Sequence, residues 1–79
     1  MSDKILSIVR ALTNPVIHFL VEPDALLTDL GFMDEIDLCG LRDAVELGCD
    51  VEIPTPDMLA WRTLADVAET ARAFEGVGG

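Results

Sequence analysis

Apolar residues recur in this chain with the period of a helix, and prolines and capping residues cut that pattern into short pieces. Ile5, Ile8, Val9 and Leu12 stand at i, i+3, i+4 and i+7. Leu38, Leu41, Val45 and Cys49 repeat the spacing. Leu64, Val67, Ala68, Ala71 and Phe74 repeat it again. Such stripes mark helices that bury one face. Periodicity alone therefore predicts a small all-α bundle of three main helices and one short one, without deciding its topology.

The breaks sharpen this reading. Ser2 and Asp3 are candidate caps for the first helix, and Asn14-Pro15 should end or kink it. Val16 to Val21 is apolar and has two readings, a second helical piece after Pro15 or a buried extended segment. Glu22-Pro23-Asp24 signals a turn, with Asp24 a candidate cap that sends Leu26, Leu27 and Leu30 inward. Gly31 permits a sharp bend. Asp34 is an expected N-cap, and Glu35 and Asp37 suit the positive end of the helix that follows. Gly40 lies inside that helix at a cost of about 1 kcal/mol against alanine. Gly48 is the expected left-handed stop. Val51 to Pro54 reads as an extended connector with Ile53 buried. Thr55-Pro56-Asp57 predicts a short helix with Thr55 as N-cap, and Met58 and Leu59 packing inward. Thr63 should cap the last helix.

Seventy-nine residues allow one core, expected here over residues 1–75, with 76–79 as a flexible Gly-rich tail. Hydrophobic residues make up 51% of the chain, enough to fill that core. Fifteen acids against five Lys and Arg give a formal charge of −10. That balance opposes nucleic acid, whose phosphates need cations, and opposes an anionic membrane surface. It suits docking to a basic patch on a protein. Two cysteines make no disulfide framework. The first apolar run is broken by Arg10, Thr13, Asn14 and Pro15, so neither a signal peptide nor a transmembrane span is expected. The expected location is the cytoplasm, with both thiols reduced.

Asp29-Leu30-Gly31, followed by Asp34, Ile36 and Asp37, resembles the prosthetic-group motif of acyl carrier proteins, D-L-G-x-D-S-L-D. Leu41, Val45 and Glu52-Ile53-Pro54 stand at positions typical of that family. Arg62-Thr63-Leu64-Ala65-Asp66-Val67 is similar to the opening of its last helix. The likeness spans about three-quarters of the chain and is specific in aggregate. It implies an acyl-carrier-protein-like four-helix bundle and acids that meet Lys and Arg on partner enzymes. In that family the motif serine carries phosphopantetheine.

The departures redirect the function. Glu35 occupies the serine position. A carboxylate there would give an acyl phosphate anhydride, which hydrolyses, so no phosphopantetheine and no other cofactor is expected. Phe32-Met33 stands where the family has one residue. Gly40 replaces a usual acid, and Arg42 and Asp43 replace apolar docking residues. The resemblance thus implies a non-enzymatic, carrier-like docking or accessory protein. Its partner would be a ligase, transferase or synthase that recognises carriers in fatty-acid, polyketide or peptide biosynthesis. Candidate partner-binding residues are Phe32, Met33, Asp34, Glu35, Ile36, Asp37, Arg42, Asp43 and Glu46.

Plainer readings stand beside each of these. Glu35 serves as a first-turn acid, or its charge replaces the missing phosphate when a partner docks. Of the two, the first is preferred. Phe32 and Met33, if exposed, supply docking contacts; if buried, they fill the space of an acyl chain. Cys39 and Cys49 are expected in the core, although an unusual carrier would attach its cargo elsewhere, as at Cys39, or hold an acyl ligand non-covalently. A helical interaction domain with only structural likeness is a third reading. His18, the sole histidine, has no zinc-ligand spacing and reads as a partly buried helix or loop residue. Trp61 is expected in the core. A small bundle offers no evident cleft for a catalytic carboxylate pair.

Overall fold

A computed structural model describes residues 3–75 of the chain. Its main elements are four α-helices: α1 (Asp3–Leu12), α2 (Glu35–Cys49), α3 (Thr55–Leu59) and α4 (Leu64–Phe74). Two 3-10 helices, Pro15–Leu20 and Thr28–Leu30, punctuate the long connection between α1 and α2. The protein is an all-α bundle of three main helices and one short one, with no named strand among the described residues. The expected cap at Ser2 and the expected tail at 76–79 lie outside the described residues.

α1 packs on α2 and α4, and α2 also packs on α3 and α4. Their shared core contains Ile5 and Val9 from α1, Leu41 and Val45 from α2, Met58 from α3, and Leu64, Val67 and Ala71 from α4. Trp61 is buried with them, and its indole N–H donates to Thr70 Oγ1 at 2.9 Å. That bond satisfies the one polar atom of a large apolar side chain. Cys39, Cys49, Leu38, Ala68 and Phe74 lean against the core half-buried.

The expected stripes bury, but their ends do not. Leu12 and Leu59, each the last residue of its helix, and Leu26, in the connection before the second 3-10 helix, remain about half exposed, so Leu26 and Leu59 do not pack inward as the sequence suggested. The apolar stretch after Asn14 is helical, in the tighter 3-10 form. Asn14 caps it, its side chain accepting from the Val16 N–H at 3.0 Å. His18 Nε2 lies 2.8 Å from the Arg10 carbonyl and 3.2 Å from that of Thr13. Both partners are acceptors, so this nitrogen carries the proton and donates to them. The imidazole thereby pins the 3-10 helix to the C-terminal end of α1.

The connection that reaches α2 is tied across the bundle. The Leu27 N–H donates to the Arg62 carbonyl at 2.8 Å, and the Leu64 and Ala65 N–H groups donate back to Ala25 and Pro23. These bonds satisfy backbone groups that an irregular segment would otherwise leave unpaired. Gly31 closes the second 3-10 helix at φ 99°, a conformation that suits glycine.

Two helix boundaries differ from the sequence expectation. α2 runs through Gly48 and stops at Asp50, whose φ of 55° supplies the left-handed cap. Asp tolerates that conformation better than most residues. Gly48 has another purpose: a Cβ there would come within 2.6 Å of Ile8 Cδ1, so its missing side chain admits α1. α3 begins one residue early, with Pro54 at the cap, Thr55 as first helical residue and Pro56 second, and without a side-chain cap. α4 has the stronger start. Thr63 Oγ1 accepts from the Asp66 N–H, while Asp66 Oδ2 accepts from the N–H groups of Arg62 and Thr63 at 2.9 and 3.0 Å. Those three bonds form a capping box with an extra strand of support.

Candidate functional site: the outward face of α2

The motif residues converge on the start of α2. Asp34 is extended at φ −134° and its Oδ1 accepts from the Asp37 N–H at 3.0 Å. Asp37 Oδ2 reaches back to accept from the Met33 N–H, also at 3.0 Å. The two carboxylates therefore satisfy orphan donors at and before the helix start, where the helix dipole also favours negative charge. The extra loop residue is held by this exchange. The Phe32 N–H donates to the Leu27 carbonyl at 3.0 Å, closing the other side of the loop.

That geometry separates Phe32 from Met33. Phe32 is half-buried and packs against the core, whereas Met33 is 69% exposed. The loop thus supplies one interior contact and one surface contact. Glu35 is exposed in the first turn, and Ile36 beside it is 80% exposed.

Further along α2 the candidates divide again. Asp43 is exposed. Arg42 is half-buried, and its Nη1 donates to Thr55 Oγ1 at 2.9 Å, linking α2 to the start of α3. Its Nε is shielded from solvent and has no hydrogen-bond partner among the described residues. Glu46 is half-buried, and its Oε2 accepts from the Ile53 N–H at 2.8 Å. The Glu46 carbonyl also receives the N–H groups of Asp50 and Val51. So Asp34, Asp37 and Glu46 hold backbone, Arg42 spans two helices, and the side chains of Met33, Glu35, Ile36 and Asp43 project into solvent.

Sequence reasoning passed over Leu47, which at 87% is the most exposed large apolar residue described. The signal was its spacing. At 100° per residue, Ile36, Gly40, Asp43 and Leu47 fall within about 60° of arc. They form a solvent stripe opposite Leu41 and Val45, which are fully buried. Gly40 sits in this stripe with nothing within 4 Å of where its Cβ would stand. The backbone there is ordinary right-handed helix, so glycine costs about 1 kcal/mol against alanine with no internal contact to offset it.

Other chemistry is sparse. Among the described residues, no group of three or more His, Cys, Asp or Glu is placed to hold a metal ion. No polar or charged side chain is fully buried among them. Cys49 lines a shallow cavity of about 110 Å³ with Lys4, Ala68, Ala71, Arg72 and Glu75. Burial raises the Cys49 thiol pKa, Lys4 opposes that rise, and Glu75 adds to it. The result disfavours the nucleophilic thiolate. Backbone donors hold the Asp66 carboxyl below the usual aspartate range: Thr63 contributes most and Arg62 next, ahead of a smaller opposing effect of burial. None of the described helices is long and apolar enough to cross a membrane. No family model matches the chain, nor does any curated protein or solved structure.

Proposed function

We propose that this protein is a carrier-like docking or accessory protein that is not modified with phosphopantetheine. It engages, through the outward face of α2, a biosynthetic enzyme that recognises acyl carrier proteins. The observation that carries this reading is the start of α2. A motif resembling the carrier site forms a capped helix N-terminus there, and the exposed residue at the serine position is Glu35. A carboxylate accepts no stable phosphodiester, while its charge, with that of Asp43, suits Lys and Arg on an enzyme surface. Exposed Met33 and Ile36 supply apolar contact beside those charges. The formal charge of −10 favours long-range attraction to a basic patch.

Two measurements test the reading. Intact mass after incubation with coenzyme A and a broad-specificity phosphopantetheinyl transferase should be unchanged; a gain of the full arm overturns the unmodified state. Affinity purification of the tagged protein from its own cells should recover a ligase, transferase or synthase that acts on carriers. Recovery should fall with added salt and in the Glu35→Lys/Asp43→Lys variant. Both side chains are exposed, so this variant leaves the Asp34 and Asp37 caps intact. Recovery of no carrier-dependent enzyme at low salt overturns the docking role.

A further inference from the structure

Gly40 is a feature of α2 that packing within the bundle does not explain. Gly48, in the same helix, makes room for Ile8, but the space above Gly40 is open. Its backbone is helical, so no left-handed conformation demands glycine. Within the solvent stripe it lies one turn after Ile36 and two turns before Leu47, both of which project almost fully into solvent. Between two apolar shoulders spaced about 16 Å along the axis, the face therefore holds the Gly40 notch and, one turn on, the exposed Asp43 carboxylate. Helix packing distance depends on the side chains at the crossing point, and a glycine there gives the closest approach.

We propose that Gly40 is the crossing point for an amphipathic helix of a partner protein. The partner's apolar face would rest between Ile36 and Leu47, and its flanks would carry Lys and Arg. Charge selects this occupant. Glu35, Asp43 and Asp50 are exposed along the seat, and the chain as a whole carries −10. A second copy would bring the same acids against themselves, whereas a basic helix pairs with them. Recognition of an amphipathic helix by apolar anchors at helical spacing is a recurrent binding mode. This inference deepens the docking role proposed above by naming the kind of element that docks.

The test uses synthetic peptides, so it does not depend on finding the enzyme. An 18-residue Leu/Lys amphipathic helix is titrated into the ¹⁵N-labelled protein, with a Leu/Glu peptide of the same pattern as control. The Leu/Lys peptide should shift amides between Glu35 and Gly48, and the control should not bind. Gly40→Leu should weaken binding at least about tenfold, because it fills the notch without changing charge. Gly40→Ala should fall between Gly40→Leu and the parent, while raising the urea midpoint of unfolding. Ala73→Leu, on the exposed side of α4, should leave binding unchanged. Equal binding by folded Gly40→Leu and the parent overturns the proposal. So does mapping of the shifts to Val16 and Phe19, two exposed apolar residues of the first 3-10 helix. Failure here with successful enzyme capture would remove only the helical occupant; peptide binding without enzyme capture would remove the carrier-enzyme reading and leave the notch.

Discussion

The two glycines of α2 are eight residues apart and obey different constraints. Gly48 faces α1, where a Cβ would come within 2.6 Å of the end of the Ile8 side chain, so any larger residue requires that side chain to shift. Gly40 faces open space and the bundle demands nothing. The same contrast runs along the helix. Its inner side holds Leu41 and Val45 without exposure, and its outer side holds Ile36 and Leu47 almost wholly in solvent. One helix thus buries an apolar face and leaves two large apolar residues, Ile36 and Leu47, outside the fold. Apolar composition does not reveal which face is core; contact does.

The widest gap between the faces should appear on truncation to alanine. Leu41→Ala should cost about 2–5 kcal/mol through lost burial and the cavity left behind. Leu47→Ala should stay within about 0.5 kcal/mol. Urea unfolding followed by circular dichroism measures both, and a comparable loss in Leu47→Ala would show that the outer face is covered in the free protein. The acids come next. Asp34→Ala removes an N-cap and should cost about 1 kcal/mol. Glu35→Ala, one residue on and exposed, should change stability by no more than about 0.5 kcal/mol. Equal losses would place Glu35 in the capping machinery.

The glycines give a smaller difference. Gly40→Ala should stabilise by about 0.5–1 kcal/mol, since the helix gains propensity and nothing clashes. Gly48→Ala should gain less or lose, because Ile8 must move. A larger gain at Gly48 would break the contrast. The smallest effect is one of pH, at the start of α4. Asp66 has its carboxyl pKa lowered by folding, so its contribution is complete above the ordinary aspartate value near about 4. It declines as pH falls through the lower folded value. Asp66→Asn should flatten this part of the acid limb of the stability curve relative to the parent. An unchanged limb would mean that the Thr63 and Arg62 donors do not discriminate the two protonation states.

The core of the three stripes was legible because burial follows helical period: Ile5, Val9, Leu41, Val45, Leu64, Val67 and Ala71 all bury. Asp34 and Thr63 were legible as caps because short oxygen-bearing side chains before an apolar run have one dominant use. Gly48 was misread as a helix stop because glycine at a helix end and glycine at a helix contact look alike in sequence. Asp50 was passed over because a left-handed aspartate is an uncommon stop. The roles of Asp37 and Glu46 were also hidden. Each reads as a surface acid, yet Asp37 reaches the Met33 N–H and Glu46 that of Ile53. Such bonds depend on where a loop returns, which local spacing does not encode.

By itself, then, the sequence determined helices, their inner stripes, the strong acidity and the carboxylate at position 35. These are properties of single residues and of their spacing along a 3.6-residue turn. Tertiary structure alone decided which acids bind backbone and which meet solvent, that Phe32 turns in while Met33 turns out, and that the face shared by Ile36, Gly40 and Leu47 is left uncovered. The physical reason is that exposure is set by the neighbour that packs on a residue, and that neighbour is remote in the chain.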